Sequence, residues 1–178
     1  MKKIVLAGDS LAVGLAPPLQ RLLPHVLPVA QDGRRACDAQ HIPEDASRVI
    51  LSLGTNDVDR KAPLGWESAY AQRLQAIMRT APGALWVWLL PPPMEEPDRE
   101  FFVQQRRTII RATAALHMAL VMEPWPGADY TAFLNGLRIR DEDGIHCTPH
   151  GYALWAQAIV DFLERAQEPL CQRAGCKR

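Results

Sequence analysis

The sequence predicts an α/β fold, a three-layer α/β/α sandwich with a five-stranded parallel sheet. Two observations carry this reading. Short apolar runs of strand character alternate with longer stretches whose apolar residues recur near helical spacing, the pattern of a parallel sheet covered on both faces. Ser10, Gly33 and Asn56 each follow a predicted strand, so chain order alone brings them to the carboxyl-end rim where such sheets bind ligands. At 178 residues the chain suits one domain with a sizeable core.

In order, Lys3 to Ala7 reads as a buried strand and Leu11 to Leu23 as a helix that Pro17-Pro18 disturbs or splits. Val26 to Ala30 is a second strand, and 35–45 holds a short helix interrupted by Pro43. Arg48 to Leu53 is the third strand. The helix at 64–80 follows, with Ala69, Leu74, Ile77 and Met78 near helical spacing. Ala84 to Leu90 is the fourth strand, and Pro91-Pro92-Pro93 forces an extended loop after it. The helix at 98–117 presents Phe101, Phe102, Ile109, Ile110 and Leu116, and Ala119 to Met122 is a short fifth strand. Pro149 opens a closing helix to Ala166, whose buried face is Tyr152, Trp155, Ala156, Ile159, Phe162 and Leu163. The expected domain is 1–168, with 169–178 a mobile tail.

Lys plus Arg equals Asp plus Glu, so the formal net charge is zero and nothing electrostatic favours nucleic acid or an anionic membrane surface. No stretch reaches the ~20 apolar residues of a membrane span. Lys2-Lys3 and the following apolar run superficially resemble a signal peptide, but Gly8-Asp9 interrupts the run at once, so a cytoplasmic location is the expectation. The four cysteines, Cys37, Cys147, Cys171 and Cys176, form no dense framework and no paired metal-ligand spacing; free thiols are expected. No metal or cofactor is called for.

The chemistry lies in three blocks. Gly8-Asp9-Ser10-Leu11 places a hydroxyl at a strand end. Gly54-Thr55-Asn56-Asp57 places an amide N–H donor at another. Asp143-Gly144-Ile145-His146 sets a carboxylate three residues before an imidazole. Together they supply a nucleophile, a base with its orienting acid, and an oxyanion donor. Blander readings stand beside these: Ser10 as a helix cap, Gly33 and Asn56 as turn residues. Asp9 and Asp57 read as loop-fixing through local hydrogen bonds. Asp141 and Glu142 compete with Asp143 but follow Arg138 and Arg140, as surface ion pairs do. His25, His41, His117 and His150 lack a matching acid in a comparable context.

These blocks resemble those of the SGNH hydrolases, the GDSL esterase/lipase superfamily: Gly8-Asp9-Ser10, Gly33 after the second strand, Gly54-Thr55-Asn56-Asp57, and Asp143 to His146, in that order over residues 3 to 165. The resemblance implies the flavodoxin-like strand order 2-1-3-4-5. It implies Ser10, His146 and Asp143 as catalytic residues, and an oxyanion hole built from Ser10, Gly33 and Asn56. It also implies hydrolysis of a carboxylic ester carrying a short acyl or acetyl group, on a small molecule or a carbohydrate. Thioesters and lysophospholipids are alternatives within the same family. A non-catalytic binding module would be expected to lack Ser10, Asn56 or His146, and a flavin or nucleotide binder would need a phosphate loop that residues 8–14 do not form. The charged loop of Asp59, Arg60 and Lys61, followed by Trp66, reads first as a solvated loop and second as a mild sign of a polar substrate such as an acetylated sugar.

Overall fold

The computed structural model describes residues 3–57, 64–124, 133–134 and 137–173. In chain order the elements are β1 (Ile4–Gly8), α1 (Ser10–Leu22), β2 (Val26–Pro28), β3 (Arg48–Ser52), α2 (Trp66–Met78), β4 (Leu85–Leu89), α3 (Pro97–Leu116), β5 (Leu120–Met122), β6 (Phe133–Leu134), β7 (Leu137–Arg138) and α4 (Pro149–Arg173). The first five strands form one parallel sheet in the order β2-β1-β3-β4-β5. Gly8, Ser52 and Leu89 stand in register across its centre, so β1, β3 and β4 end together. β6 and β7 pair as a small antiparallel ladder that the periodicity did not foretell.

Side chains alternate between the two faces of each strand, so one strand feeds two cores. Val5, Ala7, Val49, Leu51, Trp86 and Trp88 face α2 and α3. Leu6, Ile50, Val87, Leu89 and Met122 face α1 and α4. This is the sandwich expected from the alternation of elements, in the expected strand order.

Three local expectations need correction, and the inner face of α3 adds a detail. α1 runs unbroken through Pro17 and Pro18. The ring of Pro17 lies on the exposed face, while Leu11, Ala12, Leu15, Ala16 and Leu19 are buried, and that packing offsets the lost helix hydrogen bonds. No helix forms over 35–45; those residues make turns held by side-chain hydrogen bonds, among them the Gln40 amide donating to Arg35 O and Asp38 O. The inner face of α3 is Val103, Arg106, Arg107, Ile110, Thr113 and Ala114, whereas Phe101 and Leu116 are exposed. α4 continues past Ala166 to Arg173, and 174–178 lie outside the described residues, as does the polar loop at 59–61. Among the described residues no helix is long and apolar enough to cross a membrane.

Candidate active site

The turn that carries Ser10 is built by a glycine and a buried acid. Gly8 closes β1 at φ +139°, and a Cβ there would lie 2.0 Å from Ser52 O, so only glycine lets the chain leave β1 so close to β3. The Asp9 N–H then donates to Ser52 O at 3.1 Å. The Asp9 carboxylate, fully buried, caps α1 by accepting the Leu11 N–H at 3.1 Å. Ser10 is thereby the first residue of the helix, where a backbone N–H has no intrahelical partner.

The loop of Asp143 to His146 reaches this turn from the far end of the chain. His146 Nε2 lies 2.8 Å from Ser10 Oγ, across 136 residues of sequence. His146 Nδ1 lies 2.5 Å from Asp143 Oδ2. Asp143 Oδ1 accepts the Ile145 and His146 N–H groups at 2.8 and 2.9 Å. Partial burial works to raise the Asp143 pKa, but the His146 ring and these two N–H groups outweigh it and bring the carboxyl down to about 2. Asp143 is therefore ionised at any ordinary pH and accepts from the imidazole.

The same loop is fixed from below. Gly144 turns at φ +65°, where a Cβ would press within 2.6 Å of Glu95 Oε2. Its carbonyl accepts Nη2 of the fully buried Arg140 at 2.8 Å, and that nitrogen also reaches Pro93 O at 3.4 Å. The Asp141 N–H donates to His146 O at 2.8 Å, closing the turn. The Asp141 carboxylate accepts the Glu142 N–H, and Glu142 pairs with Arg138 at 3.9 Å on the surface, so neither competes with Asp143 for the imidazole. Cys147 is buried beside Arg140, and burial pushes its thiol up, which suits packing rather than nucleophilic attack.

Asn56 and Gly33 stand on neighbouring loops. The Asn56 amide donates to Arg34 O at 3.3 Å, which orients one N–H and leaves a second. The Gln31 N–H donates to Gly8 O at 3.0 Å, tying the loop that carries Gly33 to the end of β1. Gly33 is exposed. Asp57 braces both loops: Oδ1 accepts the Ala36 N–H at 2.9 Å and Oδ2 the Tyr70 hydroxyl at 3.3 Å, while burial raises its pKa. Asp9 and Asp57 thus fix loops, as their sequence context implied.

Sequence reasoning missed the arginines. Arg106 donates from Nε and Nη2 to Asp57 O at 3.0 and 2.7 Å and lies 3.7 Å from the centre of the Trp66 ring, a cation–π contact. Arg107 donates to Pro91 O and Pro92 O, both at 2.7 Å, and pairs with Glu100 at 2.6 Å. With Arg140 they clamp the loops at three strand ends. A signal existed for two of them, since 106 and 107 fall in phase with Val103 and Ile110 on the inner face of α3.

The fold is that of the GDSL-type hydrolase structures. A lipase/acylhydrolase from Enterococcus faecalis is 19% identical, with a TM-score of 0.74 over 93% of this chain and 97% of that one. The psychrotrophic esterase EstA from a Pseudoalteromonas species is 15% identical, with a TM-score of 0.71 over 94% and 100% of the two chains. An acetyl xylan esterase is 16% identical, with a TM-score of 0.70 over 89% and 98%. At the level of family, residues 32–161 match the one described as "Protein of unknown function (DUF459)", and the chain belongs to it. No curated protein matches in sequence.

Proposed function

We propose that the chain is a serine esterase that cleaves a carboxylic ester with a short acyl group through an acyl-enzyme. The observation that carries this is the unbroken contact from Ser10 Oγ to His146 Nε2 and from His146 Nδ1 to Asp143. In this reading His146 takes the Ser10 proton as Oγ attacks the ester carbonyl. Asp143, kept ionised by its hydrogen bonds, holds the ring with Nε2 toward the serine and stabilises the imidazolium. The Ser10 and Gly33 N–H groups and the Asn56 amide receive the negative oxygen. His146 returns the proton to the departing alcohol, then activates the water that frees the acid.

The test is p-nitrophenyl acetate hydrolysis by wild type and Ser10→Ala, with a fluorophosphonate probe run alongside. Loss of turnover in the variant, with labelling that maps to Ser10, is the expected result. A variant that keeps most of its activity removes Ser10 as nucleophile.

A further inference from the structure

The loop between β2 and β3 folds into a polar cup of about 390 Å³ beside the nucleophile turn. That size lies within the ~300–1,000 Å³ of small-molecule sites. Two hydrogen bonds place the cup. Gln31, in one wall, donates its N–H to Gly8 O, two residues before Ser10. Arg34, in another, accepts the Asn56 amide on its carbonyl. Gly33 lies between them in the lining, so an ester carbonyl held by Gly33 and Asn56 has the cup as its next neighbour.

The cup is preformed although the loop has no regular structure. The buried Arg34 guanidinium donates to Val29 O at 2.6 Å and to Gln31 Oε1 at 2.9 Å. Gln40 donates to Arg35 O and Asp38 O at 3.0 and 2.9 Å, and the Ala36 N–H is held by Asp57. Ligand binding therefore need not order the loop first.

Its chemistry selects the ligand. The residues that line it include Gln31, Asp32, Arg34, Asp38 and His41, with Gly33 and Ala39 the two that lack a polar side chain. Asp38 is engaged by the Arg35 N–H at 2.7 Å. Asp32 and His41 are both exposed and make no hydrogen bond to another described side chain. A hydrocarbon chain would strip water from these groups and return no hydrogen bonds. A second anion would meet two carboxylates, and Arg34 in the wall offsets one of them against a cation. A polyol matches: its hydroxyls donate to the carboxylates and accept from His41 and Gln31. Short acyl groups are hydrocarbon, so the hydroxyl-rich part is the alcohol that leaves with the proton from His146.

We propose that this cup receives the alcohol portion of the ester, that the alcohol is a sugar or similar polyol, and that Asp32 and His41 set the preference for it. The proposal rests on the ester-hydrolase reading above. The experiment compares kcat/KM for a mono-O-acetylated methyl glycoside, ethyl acetate, acetylcholine and p-nitrophenyl octanoate in wild type, Asp32→Asn and His41→Ala. Wild type should favour the acetylated glycoside over ethyl acetate. Each substitution should lower that ratio by about tenfold, the loss expected when a hydrogen bond to a charged or strongly polar partner disappears. A ratio that neither substitution moves overturns the cup, as does a wild-type preference for acetylcholine or the octanoyl ester, while the esterase reading stands. Failure to cleave any of the four esters overturns both.

Discussion

Replacing Asp9 by asparagine should stabilise the protein in mild alkali more than in mild acid. The Asp9 carboxyl is fully buried; Oδ1 accepts the Leu11 N–H, and Oδ2 has no partner among the described residues. Burial is the main cause that raises its pKa from 3.8 to about 7, with the Asp57 charge adding and the Leu11 N–H opposing. The sign follows from proton counting. Between the unfolded value and about 7 the folded chain keeps a proton that the unfolded chain has released, so stability falls as pH rises through that window and levels off above it. Each unit is worth about 1.4 kcal/mol. From about pH 5 to about pH 8 the loss is then at most about 3 kcal/mol, and protein relaxation makes it smaller. Asparagine keeps an acceptor for the Leu11 N–H and carries no charge. Removing the charge relieves Asp57 as well, in the same direction. For a chain of this size the difference between variant and wild type should widen by roughly 5–10 °C in Tm between the two pH values. Thermal unfolding followed by circular dichroism at both pH values measures it. An equal Tm offset at the two would refute the buried-charge argument.

Asn56→Ala should lower kcat by about 10²–10³ with a smaller change in KM, because the donor acts as charge develops on oxygen; steady-state kinetics on p-nitrophenyl acetate decide, and a raised KM at normal kcat would make Asn56 a substrate-positioning residue only. Asp143→Asn should lower kcat strongly but less than His146→Ala, since Asp143 orients the base and transfers no proton; Asp141→Asn and Glu142→Gln should stay near wild type, because their carboxylates lie on the surface side of the turn. Activity should survive exhaustive chelation, because the proposed relay of Ser10, His146 and Asp143 needs no metal; loss with EDTA that zinc restores would point to a different site.

What the sequence by itself determined is local and repetitive. Apolar runs and helical spacings placed the five strands of the parallel sheet, the helices α1, α2 and α3 and the start of α4 to within a few residues, because burial of one face per element is written in period 2 or 3.6. Glycine beside an acid marked two turns, at Gly8-Asp9 and at Asp143-Gly144, because few other residues can follow those backbones. The three-residue spacing of Asp143 and His146 sufficed to bring carboxylate and imidazole into contact. Only the tertiary structure decided what depends on groups distant in sequence. The approach of Ser10 to His146 requires α1 and α4 to pack on the same face of the sheet. Helix α1 survives Pro17-Pro18 because its opposite face is buried. Arg106, Arg107 and Arg140 look like surface charges in a linear sequence. They are buried because loop carbonyls at the strand ends have no strand to pair with and need donors long enough to reach them.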